Sequence, residues 1–385
     1  LAPLAVGPQH QREADRWNID AIYRREPDET DRARIVITNY ERLDHFDASQ
    51  FAGIILDESS ILKSFTGITT RKLISAFAQT PFRLSATATP APNDHMELGQ
   101  QSQFLGVMNS NEMLSRWFIA DQRNMGKYRL KRAGVTPFWE WVASWARAIG
   151  KPSDVGFDDE GYILPELVTH RHIIEADVSG DTGEERDGQA RLFRIPEMSA
   201  TSIHKEKRMT AKARAERVAE LVSAEPGETW IVWCDTDYEA DELMKLMPEA
   251  VEVRGSMPVG VKERKLDSFS RGETKVLVTK PSVAGYGLNW QHCARVAFVG
   301  LSFSFESYYQ AVRRCWRFGQ SRPVHVHTVC ADTEAAIGQA IARKAGDHET
   351  MKREMIAAMS RAVRPYSVFH DYQPQKEAAL PAWMI

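Results

Sequence analysis

FAGIILDESS, residues 51 to 60, is an apolar run that ends in two adjacent acids. A buried parallel strand reads this way, since helices cover both of its faces and its side chains need not alternate. The carboxyl edge of such a sheet is where ligands bind, so Asp57 and Glu58 fall at a candidate site. One acid there can hold a hydrated magnesium ion while its neighbour orients an attacking water. RLSATATPAPND (83 to 94) and VLVTKPSVAGYGLN (276 to 289) repeat the pattern of a strand entering a loop; the second carries Gly285 and Gly287, which let a backbone approach a phosphate closely.

Further strand-like runs lie at 35 to 38, 230 to 234, 250 to 253, 295 to 299 and 324 to 329, separated by amphipathic stretches. The alternation predicts an α/β protein with open parallel sheets. A chain of 385 residues, 43% hydrophobic and 26% charged, is long enough for two cores. The expected lobes are 1 to 200 and 201 to 365, with a tail from 366 to 385 and a helical insertion at about 110 to 150. The net charge of -3 does not advertise a nucleic-acid binder, so any such site must come from local basic clustering. Cysteines 234, 293, 315 and 330 have no C-x-x-C spacing and read as reduced thiols. No run of about 20 apolar residues is present to span a membrane.

QAVRRCWRFGQ, residues 310 to 320, reads as a short helix behind a glutamine, with Arg314 and Arg317 three residues apart and therefore on one face. Two planar, permanently charged guanidiniums suit a transferring phosphate. In the insertion, Phe138, Trp141, Val142, Trp145 and Ile149 recur at helical spacing and predict a packed helix. Arg129, Lys131 and Arg132, interleaved with aromatics, either track a phosphate backbone or form a solvated face. His325 and His327 share one face of a strand, but nothing supplies a second pair at a recognised metal spacing.

Taken in order, these segments resemble the motifs of helicase superfamily two, most closely its Swi/Snf-type, DEAD/DEAH-box DNA translocases and their phage-encoded relatives. LAPLAVGPQ at the start resembles motif Ia, IVITNYERL (35 to 43) Ib, LDESS (56 to 60) II, SATATP (85 to 90) III, IVWCDTD (231 to 237) IV, AGYGLN (284 to 289) V and QAVRRCWRFGQ VI. Ser60 stands where many relatives carry histidine, Ala88 where glycine is usual in the Swi/Snf pattern, and Arg313 where motif VI usually has glycine.

The resemblance implies two RecA-like lobes, ATP and magnesium as cofactors, and double-stranded DNA as partner. It also implies a cytoplasmic, bacterial or phage-encoded motor, with a fused or associated nuclease or methyltransferase in a restriction-modification variant. It assigns Asp57 to magnesium through water, Glu58 to the attacking water, and Arg314 and Arg317 to the γ-phosphate. Gln310 positions the arginines and Gly287 approaches the nucleotide. Thr38, Tyr40, Arg254, Gly255, Thr279 and Lys280 fall on the nucleic-acid side.

The family's phosphate loop, G-x-x-x-x-G-K-[ST], precedes motif Ia, whereas this sequence opens inside that motif with Leu1. Gly126 and Lys127 are followed by Tyr128, and Gly150 and Lys151 by Pro152, so neither pair substitutes for it. The expectation is a distal part of a longer protein. Its first lobe would lack the opening strand and loop and leave a sheet edge or face uncovered, and the chain as given would be inactive as an ATPase; the alternative to a motor is a DNA-binding scaffold that does not hydrolyse ATP.

Overall fold

The computed structural model describes residues 1–3, 6–28, 33–120, 128–175, 200–285 and 288–362. They divide into two units, Leu1–Gly161 with Lys344–Ile385, and Tyr162–Arg343.

In the first unit, residues 1–3 lead to α1 (Gly7–Arg16) and then to β1 (Ala21–Tyr23) and β2 (Ile35–Ile37), which pair in parallel. Strands β3 (Gly53–Asp57) and β4 (Phe82–Ala86) also pair in parallel, with α2 (Ile68–Ala76) between them in sequence. Residues 1–3 join the two pairs. Ala2 N donates to Thr38 O at 2.9 Å and Ala2 O accepts from Tyr40 N at 3.3 Å, while Leu1 N donates to Ile55 O at 2.6 Å and Leu1 O accepts from Asp57 N at 2.9 Å. The motif Ia segment thus lies between the strands of Ib and II, a parallel placement that only long-range pairing can set.

Leu56, Leu62, Leu73 and Phe77 meet Phe104 of α3 (Leu98–Leu105) in the core. The other face of the sheet is bare: Ile35 is 41% exposed, Ile55 52%, Phe82 64% and Leu84 54%. An open groove of about 1640 Å³ fronts it, lined by these residues with Trp17 and Ile19. Parallel sheets are ordinarily covered on both faces. Here only one is.

A helical layer follows, with α4 (Ser110–Trp117), the antiparallel pair β5 (Phe118–Ala120) and β6 (Tyr128–Leu130), and α5 (Val135–Trp145). The aromatic periodicity does make a packed helix: Phe138, Trp139 and Val142 are buried, and Trp141 stacks on Trp117 at 4.6 Å. Ile149 falls beyond the helix end and is 63% exposed, because α5 stops at Trp145.

The second unit is a six-stranded, wholly parallel sheet ordered β7-β12-β11-β8-β10-β9. Its strands are β7 (Leu167–Ile174), β8 (Trp230–Cys234), β9 (Val251–Val253), β10 (Val276–Thr279), β11 (Arg295–Val299) and β12 (Val324–Ala331). Helices α6 (Ala200–Ala224), α7 (Asp237–Leu246), α8 (Val259–Ser270), α9 (Pro281–Ala284) and α10 (Phe305–Val312) alternate with them. This is the α/β, RecA-like architecture expected. β8 is buried at all five positions, as a central parallel strand should be. Where the sequence reading puts the lobe boundary near residue 200, β7 already pairs with β12 along its whole length, Leu167 opposite Val324 through Ile174 opposite Ala331. Helix α11 (Ala335–Ala362) closes the described chain; its Met351, Met355 and Met359 pack with Phe138 and Trp139 in the first unit.

Candidate nucleotide and nucleic-acid sites

Asp57 ends β3 because the apolar run gives way to polar residues that turn the chain off the sheet. Its carboxylate lies 2.9 Å from His10 Nε2 on α1. Glu58 follows in the left-handed region, φ 51° and ψ 49°. For a residue with a Cβ, that conformation costs about 1–2 kcal/mol. Two buried side chains brace the turn on either side of it: Tyr40 Oη donates to Asp57 O at 2.6 Å and Gln101 Nε2 donates to Ser59 O at 2.8 Å. Burial, and then the charges of Asp57, Glu58 and Glu41, push the Tyr40 phenol above its ordinary range. It therefore keeps its proton and stays a hydrogen-bond donor at any working pH. β4 ends level with β3, Ala86 opposite Asp57, so the SATATP loop leaves the sheet beside the acids.

In the second unit α10 ends at Val312, so Arg314 and Arg317 lie past the helix and do not share a helical face. The chain instead folds through successive turns to Gly319, whose φ of 89° favours glycine. Both arginines reach the same acceptor, Leu288 O, Arg314 Nη1 at 3.1 Å and Arg317 Nη1 at 3.4 Å. Gln310 holds Arg314 through its side-chain Oε1 at 2.9 Å and its carbonyl at 3.0 Å. Arg317 Nε is buried with no hydrogen-bond partner among the described residues. Burial, helped by the positive charge of Arg313, lowers the pKa of Arg317. Motif V and motif VI are thus tied at Leu288, and Gly287 lies outside the described residues.

The nucleic-acid candidates are less uniform. Thr38 is 5% and Tyr40 9% exposed; Thr38 O pairs with Ala2, and the Tyr40 hydroxyl serves the acid turn. Thr279 is buried, its hydroxyl donating to Val253 O at 2.8 Å, so it ties β10 to β9. Arg254 is held by Asp241 and Glu252, and Lys280 by Asp237 at 2.9 Å, so a phosphate at these cations competes with carboxylates. Nothing crowds a Cβ built at Gly255 closer than Val283 at 3.7 Å. Arg129 and Arg132 are exposed, whereas Lys131 Nζ donates to Ser115 O and Arg116 O at the end of α4. Sequence reasoning missed His10 and Gln101. Neither sits in a quoted motif core, and only the fold brings them to the acid turn.

Residues 213–319 match the family model described as the helicase conserved C-terminal domain. That match falls within the second unit. Its span takes in β8 to β11 and both arginines of motif VI. Among solved structures, Dbp5 of S. cerevisiae bound to RNA and ADP BeF3 aligns with 93% of this chain and 80% of its own, at 12% identity and a TM-score of 0.55. A variant of Dbp5 with the same ligands gives 13% identity, the same coverage and a TM-score of 0.54. These likenesses extend the helicase fold beyond the C-terminal domain. The C-terminal part of the Fun30 ATPase domain aligns with 33% of this chain at 18% identity and a TM-score of 0.31, and this chain spans 44% of that structure. No curated protein matches in sequence. Among the described residues, no helix is long and apolar enough to cross a membrane.

Proposed function

We propose that this chain is the motor of an ATP-dependent DNA translocase of helicase superfamily two, of Swi/Snf type. The observation that supports it best is the buried Arg317 Nε, a guanidinium N–H with no protein acceptor among the described residues, beside Arg314 and within the span that matches the helicase C-terminal domain model. A buried donor left unpaired is costly unless a ligand takes it, and a phosphoryl oxygen is the acceptor this chemistry suits. Asp57 offers a hard carboxylate at the sheet edge, which fits magnesium bound through water together with nucleotide phosphates.

ATP with magnesium supplies the transferable phosphoryl group. Glu58, fixed by the bracing of its neighbours, orients the attacking water; Arg314 and Arg317, with Gln310 positioning Arg314, stabilise the charge developing on the phosphoryl oxygens, and Gly287 keeps its assignment to the nucleotide from the resemblance alone. Arg254, Gly255, Lys280, Arg129 and Arg132 contact DNA phosphates. Thr38, Tyr40 and Lys131 in the first unit and Thr279 in the second serve nucleic-acid binding by holding backbone in place, each within its own unit.

Steady-state hydrolysis by the full-length gene product, with duplex DNA or RNA, tests this reading. Arg317→Ala is expected to lower DNA-stimulated turnover by about 1,000-fold or more, the scale of an arginine finger, while DNA affinity stays within about two-fold. Equal losses of turnover and affinity would make Arg317 a DNA contact. Stimulation by RNA and not DNA would overturn the substrate.

A further inference from the structure

The HVH of β12 has a counterpart the sequence reading did not pair with it, His170 and His172 of β7, which the parallel register sets alongside. His170 Nε2 and His325 Nδ1 are 3.0 Å apart in nearly coplanar rings, and His172 Nε2 and His327 Nδ1 are 3.1 Å apart in the same way. Between the pairs, His170 stacks on His327 at 4.4 Å. Four imidazoles thus form one continuous ladder across the edge of the sheet, with Trp230 against His327.

The proton positions in half of the ladder follow from its neighbour. Arg217 Nη2 of α6 lies 3.5 Å from His172 Nδ1 and can only donate, so His172 keeps its proton on Nε2 and donates to His327. His327 then carries its own proton on Nε2, which is buried without a hydrogen-bond partner among the described residues. Both unprotonated nitrogens of that pair, His172 Nδ1 and His327 Nδ1, are then engaged as acceptors. A further proton must break the bond between the rings or displace Arg217.

Among the described residues, the other charged groups near the ladder are Glu220, paired with Arg217; Arg295 of β11, paired with Glu225; and Glu166, just before β7. Further along α6, Arg214 is closed in by Glu239 and Glu334. Burial first, then neighbouring positive charge, lowers His172 and His325, and brings His327 down to about 4. A group depressed below its unfolded value contributes stability that is complete above about 6.5 and is lost as pH falls towards its folded value.

What β7 holds is specific. Its lead-in is docked on motif VI: Trp316 Nε1 donates to Pro165 O at 2.7 Å, and Tyr162 stacks on Phe318 at 4.7 Å, on either side of Arg317 in sequence. β7 is one of the two edge strands, with β12 its one strand neighbour among the described residues, so it can open without breaking the rest of the sheet. We propose that the four histidines form a proton-operated latch that keeps β7, and through residues 162–165 the arginine segment of motif VI, in place while neutral and frees both on acidification. The latch rests on geometry within the second unit and not on the motor reading.

Amide hydrogen exchange of this chain at pH 7.5 and 5.0, corrected for intrinsic rates, tests it. With His327 shifted from 6.5 to about 4, that ring alone raises the opening of β7 roughly 30-fold at pH 5. Peptides covering 167–174 and 312–318 should open together, with β8 and β10 unchanged. His327→Gln keeps an acceptor for His172 without titrating there and should flatten the response; should it fail to fold, His170→Gln should reduce the response by removing the stacked partner. An acid response as large in either folded variant as in the wild type, or none in the wild type, overturns the latch. Opening of β7 while 312–318 stays protected overturns its link to motif VI.

Discussion

The two sheets of this chain share a parallel plan and differ in how they are finished. In the second unit β8 buries Trp230, Ile231, Val232, Trp233 and Cys234 completely or nearly so, with helices packed against the sheet. In the first, Leu56 of β3 is fully buried while its neighbour Ile55 is half exposed. The same β-branched and aliphatic chemistry therefore makes a core in one place and a bare surface in the other. What differs is whether a crossover lies over the face. Covering one such aliphatic side chain is worth about 1.5–3 kcal/mol, so the first unit forgoes several such terms.

The second unit also buries charge. Arg214, with no exposed surface, donates to Glu239 at 2.7 Å, to Val299 O at 2.7 Å and to Lys207 O at 2.6 Å. Gly300, at φ 93°, leaves the room it needs, since a Cβ there would lie 2.2 Å from Arg214 Nη1. Arg214→Ala should have the largest effect of any change considered, about 3–5 kcal/mol, by leaving Glu239 buried without its cation. Calorimetry should show the loss in the transition of the second unit alone; a common shift of all transitions would show that the two units unfold as one.

Leu277→Ala, at a fully buried position of β10, should cost about 2–5 kcal/mol. The matched change Leu84→Ala, on the bare face, should cost under about 1 kcal/mol, since little area leaves water there. Denaturant midpoints compare them directly. Equal costs would mean that the face of Leu84 is covered in solution. Tyr40→Phe should cost about 1 kcal/mol, the net worth of one buried hydrogen bond, and raise exchange at residues 58–62 ahead of the rest of the first unit. Unchanged exchange there would remove Tyr40 from the bracing of the acid turn. Neutralising Arg129 and Arg132 together should leave stability untouched and lower the slope of log affinity against log salt by about 2, whereas Lys131, already bound to two carbonyls, should add little. A slope change of about 3 on including Lys131 would show that it leaves the α4 end for phosphate.

Most of the strands were legible because buried parallel strands are apolar runs with polar ends, and the runs at 230 to 234, 276 to 279 and 295 to 299 have no competing period. β1 was not, since AIY is too short to carry a pattern. β7 is not legible, because the histidines in LVTHRHII read as polar until their partners on β12 are known. The arginines of motif VI show the opposite failure: their spacing fits a helix, but the chain turns at Val312, and Leu288 O, not a helical face, brings them together.

By itself the sequence determined the parallel α/β class, the acids at the end of β3 and the order of the motifs, all of which depend on local runs of polarity that any fold must respect. Only the tertiary structure decided that residues 1–3 lie between the strands of motifs Ib and II, that Tyr40 and Gln101 brace a left-handed Glu58, and that two HxH segments 155 residues apart become one ladder. Each of these depends on which distant strand is a neighbour. Pairing over such distances is set by burial of whole faces and the entropy of closing loops, not by any pattern within a few residues.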